Sequence, residues 1–187
     1  MPTFWFVRHG ESVAQVSDWP GADCDVPLSD AGRAQARALS LQLPGLPIGR
    51  ALCSTFLRAV ETAQIALEHT RHAAIPVDDL RERFAGDWVT LFRQDAEKRK
   101  HLAHWEFTPP RGESVRDATR RGLTALAKLE SRDDTIVFAH GRLIAGILTV
   151  LDAKDPRSLE IHAVPNCQLI ERDVSPGTWA RLLKELS

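Results

Sequence analysis

Short, continuous apolar runs alternate along the chain with stretches of helical period. Phe4-Trp5-Phe6-Val7 is apolar throughout and stops at Arg8-His9-Gly10. An apolar run of that length without alternation predicts a strand buried on both faces, with the polar triplet at its exit. A loop rich in Asp, Gly and Pro follows over about residues 17–27. Ser29 is placed to cap a helix through Arg33, Ala36, Leu39 and Leu43, which Pro44, Gly45 and Pro47 end. Residues 48–54 predict a second strand, 56–69 a helix and 75–77 a third strand. Leu123, Leu126, Ala127 and Leu129 place a helix over about 113–130. Residues 135–139 form another apolar run, ending on His140-Gly141, and a helix through Leu151 follows. Strand-like runs are expected near 168–171 and 178–183.

Strands alternating with helices predict an α/β fold, a mostly parallel sheet with helices on both faces, as one domain over residues 1–187. Within it, residues 81–110 are less regular and carry Phe84, Trp88, Phe92, Trp105 and Phe107. An inserted aromatic-rich segment at about 87–110 is therefore expected, its rings serving the core. In open α/β sheets ligands bind beyond the carboxyl ends of the strands. His9, the stretch from Ser54 to Arg58, and His140 all fall at such ends, although they are far apart in sequence.

Composition narrows the partners. The hydrophobic share is 43% and the charged share 26%, an ordinary globular balance that needs no disulfide or metal staple. A net charge of -1 argues against a nucleic-acid partner, so any anion site is a local cluster of cations. No basic leader precedes the first apolar run, and the stretch from Leu143 to Leu151 is too short to cross a bilayer, so neither secretion nor a membrane is expected. Cys24, Cys53 and Cys167 read as unpaired thiols in a reducing cytoplasm.

The candidate chemistry sits at the strand exits. A neutral imidazole is a competent nucleophile toward phosphorus when its other nitrogen is held by a hydrogen bond. Arg8 beside His9 disfavours the imidazolium and offers donors to phosphate oxygens. Taken alone, such a pair is usually a surface or loop feature. Arg58 falls in the first turn of a predicted helix, where the dipole favours anions over cations. It is either solvated there or placed beside a bound phosphate. His140 is either a satisfied core histidine or a second imidazole at the site, and Gly141 opens a helix whose amides suit an anion.

Five segments occur in order: Arg8-His9-Gly10-Glu11-Ser12, Leu28-Ser29-x-x-Gly32-x-x-Gln35-Ala36, Ser54-x-x-x-Arg58-Ala59-x-Glu61-Thr62, Gly112-Glu113-Ser114 and Ala139-His140-Gly141. Together they closely resemble the histidine phosphatase superfamily, in its phosphoglycerate-mutase-like branch, from about Phe4 to Ile170. The resemblance implies a three-layer α/β/α sandwich and a phosphate pocket formed by Arg8, His9, Arg58 and His140. It implies that His9 becomes a phosphohistidine and that Ser12 contacts the phosphate. Leu80-Arg81-Glu82-x-x-x-Gly86-x-Trp88 resembles the family's acid segment, which implies Glu82 as general acid; the plainer reading is a solvated Glu between Arg81 and Arg83. Two positions depart from the family pattern. Gln15 stands where Asn is usual, which leaves its phosphate contact open, and Val89-Thr90 replaces a common Glu-Gly after Trp88. Arg142 reads as an additional substrate ligand or, more simply, a solvated helix start.

Other chemistries fit less well. A cysteine-dependent phosphatase needs five residues between Cys and Arg, whereas Cys53 and Arg58, like Cys167 and Arg172, enclose four. His69/His72 and His101/His104 are each spaced for one helix face but have no third metal ligand nearby. No phosphate-binding or dinucleotide glycine loop is present, so no metal or cofactor is expected. The reading is a phosphatase for a small phosphorylated substrate. A phosphoglycerate mutase, which needs more basic side chains around its pocket, and a non-catalytic phospho-ligand module are the alternatives. The central insertion speaks against a phosphohistidine-protein phosphatase. Neither the identity of the substrate nor the oligomeric state follows from the sequence.

Overall fold

The computed structural model describes residues 1–88, 97, 101–102, 104–156 and 164–186. The five strands are β1 (Thr3–Arg8), β2 (Arg50–Cys53), β3 (Ile75–Pro76), β4 (Thr135–Ala139) and β5 (Leu169–Asp173). The helices are α1 (Val13–Val16), α2 (Asp30–Ser40), α3 (Leu57–Ala66), α4 (Val115–Lys128), α5 (Gly141–Leu151) and α6 (Thr178–Glu185). The chain divides into two compact units. The first comprises residues 1–81, 130–140 and 165–176, and the second 82–129, 141–164 and 177–187.

The first unit holds the whole sheet, in the order β3-β2-β4-β1-β5. β1, β2, β3 and β4 pair in parallel, and β5 runs antiparallel to β1. The central strands are buried along their length, which is why they read as apolar runs without alternation. Trp5 and Val7 of β1, Ala51 and Cys53 of β2, and Ile136 and Phe138 of β4 pack with Ala36 and Leu39 of α2 and Ala63 and Ala66 of α3 in one cluster. Phe4, Phe6, Leu52 and Val137 point the other way and are equally buried. Ser29 caps α2 as expected, accepting from the amide of Gly32 at 3.0 Å.

In the second unit α4 packs against α5 and α6, burying Val115, Leu123 and Leu126 from α4 and Trp179 and Leu182 from α6. Ser114 caps α4 in a capping box with Asp117. Residues 178–183, expected as a strand, form α6 instead. Trp179, Leu182, Leu183 and Leu186 recur at helical spacing, and Gly177 starts the helix with φ 81, a left-handed conformation that costs glycine little. The helix expected over 56–69 ends at Ala66, so His69 and His72 lie beyond it and share no helix face. In the aromatic-rich stretch, Trp105 is buried, Trp88 and Phe107 are half-buried with their rings 5.2 Å apart, and Phe84 is exposed, so only part of it serves the core. Phe92, Val89 and Thr90 lie outside the described residues.

Candidate active site

Strand register brings the histidines together. Arg8 pairs with Ala139, and the amide of His9 continues the ladder by donating to the Ala139 carbonyl at 3.0 Å. The amide of Ser54, just past β2, donates to Phe138 at 2.9 Å. Three neighbouring parallel strands therefore end side by side, and His9, Ser54 and His140 leave them at one edge. The rings of His9 and His140 are 5.2 Å apart, and His140 Nε2 lies 2.8 Å from Ser54 Oγ. Ser54 Oγ also accepts from the amide of Phe56, which turns the chain into α3. Phe56 packs edge-on to His140 and beneath the Arg58 guanidinium.

His9 is nearly fully buried, and its Nδ1 lies 2.7 Å from the Gly10 carbonyl. A carbonyl only accepts, so Nδ1 carries the proton and Nε2 carries the lone pair. Arg58 Nε donates to that Nε2 at 3.3 Å. Burial first, and then the charges of Arg58 and Arg8, hold the imidazole well below its usual 6.5; the Gly10 hydrogen bond opposes them. The residue at the end of β1 is thus a neutral imidazole with its nucleophilic nitrogen beside a cation. The terminal nitrogens of Arg58 take a partner the sequence did not suggest. Nη1 donates to the Asp23 carbonyl at 2.6 Å, and Nη2 lies 3.3 Å from Asp23 Oδ2.

Much of the motif serves to hold this edge. A Cβ on Gly10 would stand 2.5 Å from the Gly32 carbonyl oxygen, and one on Gly32 would stand 1.9 Å from that of Glu11, so neither position admits a side chain. The amide of Gly10 donates to Thr62 Oγ1 at 3.0 Å, and Thr62 donates back to the Arg58 carbonyl at 2.6 Å. Gln35 accepts from the amide of Glu11, and Ser29 Oγ donates to its carboxylate. Glu61 accepts from the amide of Leu28 at 2.7 Å and from Arg33 at 2.8 Å.

Ser12 and Gln15 engage each other. Gln15 Oε1 accepts from the amide of Ser12 at 3.1 Å and from its hydroxyl at 3.3 Å, closing the first turn of α1. Gln15 Nε2 reaches 3.5 Å from Asn166 Oδ1, and Asn166 Nδ2 donates to the His9 carbonyl at 2.6 Å. Asn166 was missed in the sequence, because a lone Asn before a strand carries no signal until the register places it beside Arg8.

Glu82, Gly141 and Arg142 belong to the second unit. Glu82 caps α5: Oε1 accepts from the amides of Arg83 at 2.9 Å and Leu143 at 3.2 Å, and Oε2 from that of Arg142 at 3.3 Å. The flanking arginines are engaged elsewhere. Arg81 pairs with Asp78 at 2.9 Å, and Arg83 donates to the carbonyls of Glu113 and Phe107. Glu113 also holds the segment after Glu82, accepting from the amide of Phe84 and from Arg121. Gly141 is the first residue of α5. Arg142 is half-buried rather than solvated, and burial lowers its pKa.

Cys53 is buried, and burial raises its thiol to about 11, so it offers no thiolate at neutral pH. Among the described residues no group of three His, Cys, Asp or Glu side chains is gathered as a metal site.

Residues 4–185 match the model of the histidine phosphatase superfamily (branch 1). This chain belongs to that superfamily. It is 30% identical to a 2,3-bisphosphoglycerate-dependent phosphoglycerate mutase 2 from Gloeobacter violaceus, over 95% of this chain and 88% of that one. It is 28% identical, with the same coverage, to an adenosylcobalamin/alpha-ribazole phosphatase from Salmonella typhimurium. Among solved structures, a mycobacterial glucosyl-3-phosphoglycerate phosphatase superposes with a TM-score of 0.80 at 25% identity, covering 91% of this chain and 92% of that one. In this superfamily member the motif residues divide physically. Arg8, His9, Arg58 and His140 stand at the strand edge, while Gly10, Gly32, Gln35, Glu61 and Thr62 hold the loops that put them there.

Proposed function

We propose that the chain hydrolyses a small phosphorylated metabolite through a phosphohistidine on His9. The observation that carries this reading is the neutral, buried His9, with Nδ1 committed to Gly10 and Nε2 directed at Arg58. Nε2 attacks phosphorus in line with the ester oxygen, forming the N–P bond as the P–O bond breaks. Arg8, Arg58 and His140 draw charge from the equatorial oxygens, with Ser12 and the Gly141 amide as further phosphate contacts. For this, Arg58 exchanges its bond to Nε2 for bonds to the phosphoryl group. Glu82 protonates the leaving oxygen, since an alkoxide is a poor leaving group. It then takes a proton from the water that attacks the phosphohistidine, which releases inorganic phosphate and the neutral imidazole.

Both the Salmonella relative and the mycobacterial structural neighbour are phosphatases, which supports hydrolysis. The Gloeobacter relative favours a second reading, phosphoglycerate mutase. The deciding experiment measures chelator-resistant hydrolysis of an aryl phosphate by wild type and H9A, then of a panel of sugar, glycerate and nucleoside phosphates. Turnover by wild type alone is expected. A folded wild type that cleaves no ester but isomerises phosphoglycerate would make the chain a mutase, and one that does neither would make it a binding module.

A further inference from the structure

The terminal nitrogens of Arg58 are already held by an oxyanion. Nη1 donates to the main-chain carbonyl of Asp23 at 2.6 Å and lies 3.3 Å from Oδ1, while Nη2 lies 3.3 Å from Oδ2. The carboxylate thus straddles the fork that a phosphate would use, with Arg58 Nε turned to His9. A guanidinium offers planar donors to carboxylate and phosphate alike, so the two groups suit the same nitrogens.

Asp23 comes to this position from the solvent side. Its side chain is 38% exposed against 6% for Arg58, and it sits on a single 3-10 turn, Asp23–Asp25, with no buried residue. A carboxylate and a phosphate dianion at one guanidinium repel each other, and the repulsion is least screened beside a buried cation.

We infer that Asp23 is an internal competitor for the phosphate: its carboxylate occupies Arg58 until a phosphoryl group displaces it, and so sets how tightly the site holds phosphate. The inference rests on the phosphate site proposed above. The competition weakens substrate and product alike. It raises KM, and it helps expel inorganic phosphate as the carboxylate returns to Arg58.

The test is calorimetric titration of inorganic phosphate into wild type, D23N, D23E and D25N. Asp25 shares the turn and is exposed, and its carboxylate meets Cys24 rather than Arg58, so D25N reports the loss of a nearby charge without the loss of the contact. D23N is expected to bind phosphate about 2- to 5-fold more tightly, the range of a partly exposed ion pair. D23E, which keeps the carboxylate, and D25N are expected to stay near wild type. With an ester substrate, KM falls in D23N while kcat holds or drops. Unchanged or weaker phosphate binding by D23N overturns the inference, since a merely structural Asp23 would give that result. Equal tightening by D25N overturns it too, because the effect would then be one of net charge. The titration needs no turnover, so a chain that binds phosphate but cleaves nothing fails the hydrolase reading alone.

Discussion

His9 and Glu82 are both fixed by hydrogen bonds, but through different parts of the residue. His9 is placed by its backbone: its amide extends the pairing of β1 with β4, and its carbonyl accepts from Asn166. Its side chain needs only the Gly10 carbonyl to present Nε2. Glu82 lies outside any helix or strand and is held by the same carboxylate oxygens that would do its chemistry, on the amides of Arg83, Arg142 and Leu143. Under the proposed mechanism, a substitution at His9 is therefore expected to remove chemistry and leave the frame, and one at Glu82 to disturb both. The proposed nucleophile is scaffolded by register, and the proposed acid by the group that would react.

The largest expected effect tests the first half of that contrast. H9A should lower kcat by about 10⁴-fold or more, the scale seen when an enzyme loses its nucleophile. No phosphoenzyme should be trapped after a rapid quench into alkali. The melting temperature should change little, because the ladder bonds of residue 9 are main-chain bonds. A covalent phosphoenzyme in H9A would place the nucleophile elsewhere.

E82Q tests the second half. Loss of a general acid typically slows the reaction by about 10²- to 10⁴-fold. The deficit should be large for alkyl phosphates and small for 4-nitrophenyl phosphate, whose leaving group needs little protonation. The variant should also lose about 1–3 kcal/mol of stability, because an amide NH₂ now faces backbone donors at the start of α5. An equal slowing of both esters would reduce Glu82 to a cap for that helix.

The same contrast explains what was legible in the sequence. β1, β2 and β4 were visible as short continuous apolar runs, α2 behind the Ser29 cap, and α4 from apolar residues at helical spacing. His9, Arg58 and His140 were visible because they stand at the ends of such elements. The segment at 178–183 was misread because eight residues hold barely two turns, too short for its stripe to separate from an alternating run. Asp23 on Arg58, Asn166 on His9 and the amides of α5 on Glu82 were invisible for another reason. Each joins an irregular stretch to a residue 35, 157 or about 60 positions away, and local pattern carries no information across such a gap.

A smaller effect follows from the burial of His9. Its folded pKa lies well below 6.5, so above pH 6.5 the imidazole is neutral in both the folded and the unfolded chain and pH has no effect through it. Below pH 6.5 the unfolded chain takes up a proton that the folded one refuses, and stability falls as pH drops toward the folded pKa. The slope from this one group is at most about 1.4 kcal/mol per pH unit. H9Q removes the group, so denaturant titrations at pH 7.5 and 5.5 should show a steeper acid loss for wild type than for H9Q. Equal losses would mean that His9 is not held neutral.

Gln15 carries the smallest expected effect and sharpens the contrast on the His9 side. Its carboxamide accepts from the Ser12 amide and hydroxyl and reaches Asn166, which in turn supports the His9 carbonyl. Here the longer side chain supports the backbone of His9 from two links away. Asn at this position is one methylene shorter, which trades the contact with Asn166 for the shorter amide usual in this superfamily. Q15N is therefore expected to cost about 0.5–1 kcal/mol of stability, the scale of a weakened cap. It should change kcat/KM by no more than about 3-fold, because the ladder bonds of His9 remain. If kcat/KM instead falls by an order of magnitude while the melting temperature holds, Gln15 meets the phosphate directly, and its bond to Ser12 is a resting contact that the substrate replaces.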